Sequence, residues 1–539
     1  MPQFIDAREN VVTAAIDGEL RGSNLARLDG YPHIRVVHRT DFDGSKVALV
    51  SGGGSGHEPA HAGFVGRGML TAAVCGDVFA SPSVEAVLAG IMAVTGDGGC
   101  LLIVKNYTGD RLNFGLAAER AKALGRDVEM VVVADDIALP DLPQPRGVAG
   151  TLFVHKIAGH MAEAGASLAE VADAARAVAE AASSYGVALS TCTVPGSEPE
   201  GRIPEGKIEL GLGIHGEPGV RQVDYEGAAS AVQTVMRGLK DHAAPADAHV
   251  ALLNDLGSTT PLELGIIADE VLSRDYGLTV SHAIGPARLM TSLDMHGFSV
   301  SLLPAKPEWV EALTSDVEPW AWPGLSEVGD IAVTPMPEGL EGRSFEASPE
   351  PGAEAVIRHV CGLLTSMEAD LNALDAKTGD GDTGSTVAGA ARAVERALPD
   401  MPLASVPDTF ASLSDTLARA MGGSSGVLMA IFFQAAADAA NEGADVAAAL
   451  SAGLARIKEY GGADVGHRTM VDALDPALAA LPQGLSAAAE AAREGADGTA
   501  RMGAARSGRS AYLSEDSLTG ITDPGAEAVA RTFEGLVKS

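Results

Sequence analysis

One histidine of the sequence lies in a glycine-rich turn. The stretch ELGLGIHGEPG, residues 209–219, begins with alternating apolar residues and ends in glycines that surround His215. An imidazole on such a turn has three possible roles, namely packing, proton transfer or direct bonding to a ligand. Packing is the weakest of these, because His215 lies outside any apolar stripe. The spacing alone leaves proton transfer and nucleophilic attack open.

A second glycine-rich turn carries another histidine. In LVSGGGSGHEPAHAG, residues 49–63, an apolar run leads directly into Gly52, Gly53 and Gly54, and His57 follows. Glycines at the carboxyl end of a strand let backbone amides approach a ligand closely. The sequence is not a P-loop, because the Gly-Lys-Ser/Thr ending is missing. A tight turn without a ligand is the alternative, but the adjacent histidine favours a polar ligand site.

Polar residues follow a third apolar run. In LIVKNYTGDRLNFG, residues 102–115, a strand pattern passes through a turn into a helix pattern, and Lys105 and Asp110 lie at the junction. Open α/β sheets bind ligands at the carboxyl ends of their strands. Asp110 could cap the helix, or it could act as a general base toward a ligand hydroxyl, and the pattern does not separate the two.

Three aspartates cluster in the last third of the chain. The segment NALDAKTGDGDTGSTVAG places Asp375, Asp380 and Asp382 around a glycine turn between two helix patterns. Carboxylates this close repel one another unless a cation lies between them. Oxygen ligands on a short loop suit Mg²⁺, which also takes phosphate oxygens as ligands, whereas the order of residues does not fit a calcium-binding EF-hand. A solvated acidic turn is the alternative.

Two further segments of this region could bind a phosphate or a nucleotide. ARAMGGSSGVLMAIFF places Gly422, Gly423, Ser424 and Ser425 at the expected start of a helix, where free amides and hydroxyls can hold an anion. Close packing through small residues is the alternative. Near the end of the chain, the segments SGRSAYL and TDPGAE supply Arg506, Arg509 and Asp523, which could close over a nucleotide.

The elements that must position these residues change character along the chain. Residues 1–332 alternate β-branched apolar runs with alanine-rich helix patterns, which predicts sheets covered by helices in two lobes, about 1–185 and 186–332. A segment rich in Pro and Gly, residues 191–207, looks like the connection between the lobes. Residues 333–352 are rich in Pro, Gly and Glu and predict a linker, and residues 353–539 predict an all-α domain.

Composition excludes several classes of function. The net charge of −34 disfavours nucleic acid and anionic membranes as partners, because both bind basic surfaces. The four cysteines are not arranged as a disulfide framework or a zinc site, and they fit a reducing cytoplasm. We find no unbroken apolar stretch of membrane-spanning length and no secretory signal, so we expect a cytoplasmic protein.

The order of the motifs resembles a known family. GGGSGHEP, GDVFASPS, NYTGDRLNFG, AGTLFVHKIAG, GLGIHGEPG, LDAKTGDGDTG and GGSSG together resemble the dihydroxyacetone kinase family in its single-chain, ATP-dependent form. The resemblance covers nearly the whole chain. It implies a two-lobed α/β part, DhaK-like, to about residue 332 and an all-α barrel of antiparallel helices, DhaL-like, from about residue 353. It also implies a domain-swapped homodimer in which each helical domain covers the partner's ketose site.

The resemblance assigns roles to the residues of the first part. In the family, the histidine at the position of His215 attacks a ketone carbonyl and forms a covalent hemiaminal. This bond selects short ketoses and aldoses over polyols. In the family, the residue at the position of His57 hydrogen-bonds the bound substrate. The residue at the position of Asp110 takes the proton from the attacking hydroxyl. Gly53, Gly54 and Lys105 match residues that line the same pocket.

The resemblance also assigns the residues of the helical part. Asp375, Asp380 and Asp382 match the ligands of two Mg²⁺ ions that bridge the phosphates of ATP. Nucleotide contacts are expected from Thr383, Ser385, Thr386, Gly423, Ser424, Ser425, Arg468, Thr469, Met470, Arg509, Asp523 and Gly525. The chain departs from the family where many members read G-D-[KR]-T-M, because His467 replaces the aspartate. We expect catalysis to survive, since Arg468 and Thr469 remain.

The sequence therefore predicts a kinase that phosphorylates a terminal hydroxyl of a short-chain ketose or aldose, namely dihydroxyacetone, glyceraldehyde or erythrulose, with ATP and Mg²⁺. Two other functions stay open. One is a ketose-binding regulator or a subunit fed by a phosphotransfer protein, and the fused helical half argues against it. The other is a lyase activity that cyclises the ribitol phosphate of FAD, which needs the helical half but no ketose.

Overall fold

The computed structural model describes residues 3–139, 144–338, 340, 343–420, 423–507 and 509–538. The chain divides into two compact units, Met1–Ala332 and Val333–Ser539. The first unit is α/β and the second is helical, which confirms the predicted fold class. Among the described residues, no helix is both long and apolar enough to cross a lipid bilayer.

The first unit contains two sheets. The strands of the first sheet, in spatial order, are β1 (Leu25–Arg27), β2 (Val36–Arg39), β4 (Ala72–Val78), β3 (Ala48–Ser55), β5 (Cys100–Lys105) and β6 (Val128–Val133). Strands β4, β3, β5 and β6 are parallel, and β1 and β2 are antiparallel additions at one edge. The carboxyl ends of β3 and β5 therefore lie side by side, which brings Gly53 of β3 next to Lys105.

Helices cover both faces of this sheet. Their bounds are α1 (Val11–Leu20), α2 (Val84–Val94), α3 (Thr108–Ala123), α4 (Thr151–Glu163) and α5 (Leu168–Ala181). Alternate residues of β3 point to opposite faces: Val50 packs with residues of α2 and α3, and Leu49 packs with residues of α4 and α5. Both faces of the parallel strands are buried, which explains why the sequence runs there are continuously apolar.

The second sheet contains seven strands. In spatial order they are β13 (Leu325–Glu327), β11 (Val280–Arg288), β10 (His249–Asp255), β12 (Gly297–Pro304), β7 (Ser183–Ala188), β8 (Lys207–Leu210) and β9 (Arg221–Asp224). Helices α6 (Ala228–His242), α7 (Pro261–Ser273) and α8 (Pro307–Thr314) follow in the same lobe. The interpretation of residues 191–207 as the connection between the lobes is wrong, because they join β7 to β8 within this one sheet. The chain passes between the two sheets earlier, from α5 to β7.

The second unit is built from helices. They are α9 (Pro351–Ser366), α10 (Glu368–Asp375), α11 (Thr383–Ala397), α12 (Val406–Ala420), α13 (Gly423–Asn441), α14 (Val446–Gly461), α15 (Val471–Ala480), α16 (Leu485–Thr499), α17 (Glu515–Leu518) and α18 (Pro524–Val537). Contacts run from α9 to α11 and on through α12, α13, α14 and α15, and α18 packs against both α15 and α9. The helices therefore form a closed ring. Small side chains such as Ala473, Ala492 and Ala526 allow the close approach of α15, α16 and α18.

Candidate active site

The turn that carries His215 lies between β8 and β9 and meets residues of the first sheet. The ring of His215 lies 4.8 Å from that of His57, 4.6 Å from that of Tyr107 and 5.3 Å from that of Phe79, measured between centroids. Gly216 has φ +77°, a conformation that favours glycine, so the turn can reverse immediately after the histidine. The structure therefore brings His215 and His57 together, as the sequence predicts, at the junction of the two lobes.

Glu217 fixes the orientation of the His215 ring. One carboxylate oxygen lies 3.0 Å from Nδ1 of His215, and the other accepts a hydrogen bond from the backbone N–H of His215 at 3.0 Å. Burial raises the pKa of Glu217, but its interactions with His215, including hydrogen bonds from the side chain and the backbone, outweigh this effect, so the net pKa is lowered and the carboxylate stays ionised. A carboxylate at Nδ1 assigns the proton to that nitrogen and leaves a lone pair on Nε2. The ring can thus act as a nucleophile at Nε2.

Replacing Glu217 by alanine is expected to lower kcat/KM by about 10²-fold or more, because the imidazole loses the partner that selects its tautomer. Steady-state kinetics measure the effect. The matched control is Glu263→Ala, which removes another carboxylate that lies 3.0 Å from a histidine nitrogen, on the second lobe at His296. A Glu217→Ala enzyme as active as this control would contradict the role of Glu217.

His57 is a buried, neutral imidazole. Its Nδ1 donates to the carbonyl of Thr291 at 2.8 Å, and its Nε2 is buried without a hydrogen-bond partner among the described residues. Burial, together with the charges of Lys105 and His215, holds the pKa of His57 well below its usual range. A neutral ring that donates through Nδ1 presents an acceptor at Nε2, which can bind the hydroxyl of a ligand.

Lys105 and Asp110 face Gly53, one of the three glycines at the carboxyl end of β3. A methyl group at Gly53, which has φ +149°, would lie 2.9 Å from Nζ of Lys105 and 3.4 Å from Oδ2 of Asp110. Both side chains are buried, and Oδ1 of Asp110 has no hydrogen-bond partner among the described residues. A glycine is therefore needed at position 53, since any side chain would displace the ammonium group. At Gly54 a methyl group would lie 2.7 Å from the backbone of Ala80.

In the helical unit, the three aspartates form one cluster. Asp375, Asp380 and Asp382 each offer a carboxylate oxygen, and these oxygens lie within 4.8 Å of one another. Oδ2 of Asp375 accepts from the backbone N–H groups of Gly381, Asp382 and Thr383 at 3.0–3.2 Å. The buried Asp375 therefore shapes the loop that presents the other two. A set of close carboxylate oxygens fits a hard divalent cation such as Mg²⁺.

The cluster leads into the first turn of α11, where three of the expected nucleotide contacts lie. Thr383 begins the helix, and Ser385 and Thr386 follow it. The side chain of Asn372 on α10 holds Ser385, accepting from its backbone N–H at 3.0 Å and donating to its hydroxyl at 2.8 Å. Gly423 is the first residue of α13. The side chains of Ser424, Ser425 and Arg509 lie outside the described part of the chain.

The other expected nucleotide contacts form a second group. Arg468 has φ +60°, is 1% exposed and donates to the carbonyl of Ile521 at 2.8 Å, while its Nε and Nη1 have no hydrogen-bond partner among the described residues. Asp523 caps α18 by accepting from Ala526, and burial raises its pKa to about 6. Gly525 lies against Met470, and Asp472 accepts from the backbone N–H of Thr469 at 2.8 Å. The unpaired guanidinium nitrogens fit the binding of an anion.

His467 lies beside this group. Its side chain is partly buried, and its Nδ1 has no hydrogen-bond partner among the described residues. Its backbone carbonyl accepts from Arg506 at 3.1 Å. The replacement of aspartate by histidine thus leaves the backbone of the loop connected to the C-terminal segment.

Sequence reasoning did not single out several residues of the first site. Phe79 and Tyr107 surround His215, Glu217 orients it, and Thr291 orients His57. Each of the first three lies inside a motif already noted, and Tyr107 and Glu217 each lie two residues from a polar residue of interest, Lys105 and His215 respectively. Thr291, which lies 234 positions from His57, carries no signal in the sequence.

Comparisons with known proteins match both units. Residues 22–321 match the Dak1 domain, and residues 377–538 match the DAK2 domain. The chain is 48% identical to the dihydroxyacetone kinase of Citrobacter freundii, over 99% of each chain, and 40% identical to the human triokinase/FMN cyclase, over 98% of each. The crystal structure of the C. freundii kinase in complex with AMP-PNP and Mg²⁺ superposes with a TM-score of 0.78, at 46% identity, and covers 100% of this chain and 99% of that one.

These matches extend over both the α/β unit and the helical unit, so they define the class of the whole chain. The protein is a phosphotransferase with an alcohol group as acceptor. It belongs to the dihydroxyacetone kinase family.

Proposed function

We propose that the protein transfers the γ-phosphoryl group of ATP to a terminal hydroxyl of a short-chain carbonyl sugar, either a ketose such as dihydroxyacetone or erythrulose or the aldose glyceraldehyde. The sugar is held during the reaction as a covalent hemiaminal on His215. The observation that carries the proposal is the geometry of His215, whose Nδ1 is 3.0 Å from the ionised Glu217 while the ring lies among His57, Tyr107 and Phe79. This arrangement leaves Nε2 of His215 free to react.

Binding begins with addition to the carbonyl group. The lone pair of Nε2 forms a bond to the carbonyl carbon, the π electrons of the C=O bond move to the oxygen, and the oxygen takes up a proton from solvent. The ring becomes positive, and the carboxylate of Glu217 stabilises this charge or accepts the Nδ1 proton. A polyol such as glycerol has no carbonyl carbon to attack, so the covalent bond itself supplies selectivity.

The bound sugar then presents its terminal hydroxyl to Asp110. The carboxylate, whose Oδ1 has no partner among the described residues, accepts the proton as the hydroxyl oxygen attacks the phosphorus. His57 accepts a hydrogen bond from the sugar through Nε2, and Lys105 contributes positive charge beside Gly53. Fixing the sugar in one orientation lowers the entropic cost of the transfer step.

The aspartate cluster would hold the metal of the reaction. Asp375, Asp380 and Asp382 would bind two Mg²⁺ ions, which neutralise the charge of the ATP phosphates. The C. freundii relative was crystallised with AMP-PNP and Mg²⁺. Arg468, with two unpaired guanidinium nitrogens, would bind the nucleotide from the second group of residues.

A substrate panel tests the proposed reaction. The enzyme is incubated with ATP and Mg²⁺ and with dihydroxyacetone, glyceraldehyde, each enantiomer of erythrulose, or glycerol, and ADP release is followed. We expect turnover with at least one carbonyl sugar and none above background with glycerol. Absence of sugar-dependent ADP release across the panel would contradict the kinase and favour a ketose-binding regulator.

A second activity is favoured by the relatives named triokinase/FMN cyclase. FAD, the metal and the helical unit would suffice for cyclisation of the ribitol phosphate, and no ketose would be required. Release of cyclic FMN from FAD without added sugar supports this activity. If a Glu217→Ala enzyme keeps it, the two reactions are separate.

We also propose a domain-swapped homodimer in which each helical unit serves the partner's ketose site. Enzyme reassembled from equal amounts of His215→Ala and Asp382→Ala chains is expected to recover about a quarter of the wild-type activity, because half of the dimers are mixed and each has one intact site of two. The assay is ADP release before and after mixing under conditions that exchange subunits. The two variants unmixed are the controls, and a mixture as inactive as they are would contradict the swap.

A further inference from the structure

A buried chain of polar side chains lies behind Lys105. Nζ of Lys105 is 2.6 Å from Nε2 of His61, and Nδ1 of His61 is 3.1 Å from Nε2 of His155. The three residues come from β5, from the loop after β3 and from α4, and they are 1%, 4% and 0% exposed. Neither histidine has a role in the reaction as described above, so the chain needs its own explanation.

A buried ammonium group requires hydrogen-bond acceptors, because its solvation by water has been lost. Among the described residues, the other hydrogen-bond contact of Nζ is the carbonyl of Gly52 at 3.5 Å, which is a weak bond at most. Nε2 of His61 is therefore the main acceptor. We propose that His61 is a positioning residue, which holds the charged Lys105 in the ketose site by accepting its hydrogen bond.

The second histidine sets the tautomer of the first. If Nε2 of His61 accepts from Lys105, its proton resides on Nδ1, which then donates to Nε2 of His155. The far nitrogen of His155, Nδ1, is buried without a partner among the described residues. Burial and the charge of Lys105 hold the pKa values of both histidines well below the usual range, so both rings are neutral. A protonated His61 could not accept the hydrogen bond from Lys105, and the series of hydrogen bonds from Lys105 to His155 would be broken.

The charge of Lys105 depends on the groups that face it. Burial lowers its pKa, and the opposite charges of its acidic neighbours raise it. The acidic neighbours are Asp110 on α3, Cys75 on β4 and Asp135 after β6. The other titratable groups that face Lys105 are neutral histidines, namely His57 and His61 in the loop after β3 and His155 on α4. If Nε2 of His61 no longer accepts a hydrogen bond from Lys105, the neutral amine is favoured and the pKa of Lys105 falls further. Activity that requires the ammonium form is then lost at a lower pH.

The test rests on the proposed function and measures the pH profile of kcat/KM for the best sugar of the panel. His61→Leu is expected to move the alkaline limb down by about one to two pH units, since a hydrogen bond to a charged group is lost. His61→Gln is expected to restore the limb, because its amide oxygen can occupy the position of Nε2. The matched control is His249→Leu, which removes a histidine 2% exposed at the start of β10 and leaves the limb in place.

A double variant separates positioning from general damage. In a Lys105→Met background, His61→Leu is expected to change kcat/KM by less than about twofold, because the group it positions is gone. An unmoved alkaline limb in His61→Leu, or a further large loss in the double variant, would overturn the inference. If His61→Leu does not fold, His61→Asn and His61→Gln give the same comparison, since only the longer side chain reaches Lys105. A wild-type enzyme without sugar-dependent turnover would instead contradict the proposed function.

Discussion

Replacing His215 by alanine is expected to lower kcat/KM for dihydroxyacetone by about 10³-fold or more, because the sugar loses its covalent anchor and hence its orientation. The remaining activity is expected to discriminate poorly between dihydroxyacetone and glycerol, since selection for the carbonyl group resides in the bond to His215. Both effects are measured by steady-state ADP release.

The control is His296→Ala, which removes a histidine that is likewise paired with a glutamate, at 3.0 Å, but lies on the second lobe beside α7. This variant is expected to keep both the rate and the discrimination of the parent enzyme. If His215→Ala lost activity equally on every substrate but kept its preference for carbonyl sugars, the ring would position the sugar without bonding to it.

The second large effect is expected from the aspartate cluster. Asp380→Ala and Asp382→Ala are each expected to lower kcat by about 10²-fold or more at a fixed low concentration of Mg²⁺, because phosphate charge is no longer neutralised. Raising the Mg²⁺ concentration is expected to recover part of the loss. Calorimetric titration of the full chain with Mg²⁺ in the presence of a nonhydrolysable ATP analogue measures the binding directly.

Asp400→Ala is the matched control, because it removes one negative charge from an exposed position of the same unit. Its Mg²⁺ affinity is expected to equal that of the parent. Asp375 acts differently from the other two, since Oδ2 holds three backbone N–H groups of the loop. Asp375→Ala is therefore expected to lose metal binding that high Mg²⁺ does not recover. Equal recovery in all three variants would contradict this distinction.

Local sequence patterns are sufficient to predict most of the fold and part of the site. The apolar run before Gly52 predicts a strand, and the structure confirms it as β3, but the strand continues through the glycines to Ser55 instead of turning at them. The two helix patterns around Asp375 and Asp382 place the aspartates on a loop, and their oxygens lie within 4.8 Å of one another. In each case the residues involved are close in sequence, so the backbone alone brings them together.

What the sequence could not predict depends on packing between distant segments. The ring cluster around His215 combines residues from loops after β3, β4 and β5 with a turn of the second sheet, and no local pattern encodes that meeting. The choice between proton transfer and nucleophilic attack depends on Glu217, because the hydrogen bond at Nδ1 decides which nitrogen is free. The wrong assignment of residues 191–207 as the connection between the lobes has a similar cause. A loop rich in Pro and Gly has the same sequence pattern whether it joins two strands of one sheet or two separate lobes.

The covalent bond between His215 and the ketose is the central claim, and carbon NMR tests it most directly. The enzyme is mixed with dihydroxyacetone labelled with ¹³C at the carbonyl carbon, in the absence of ATP. The account predicts that the signal of the bound sugar leaves the ketone region and appears where a tetrahedral carbon with two heteroatom substituents resonates, and that His215→Ala lacks this signal. A bound sugar whose carbon keeps its ketone shift in the wild-type enzyme, or the same tetrahedral signal in His215→Ala, would contradict it.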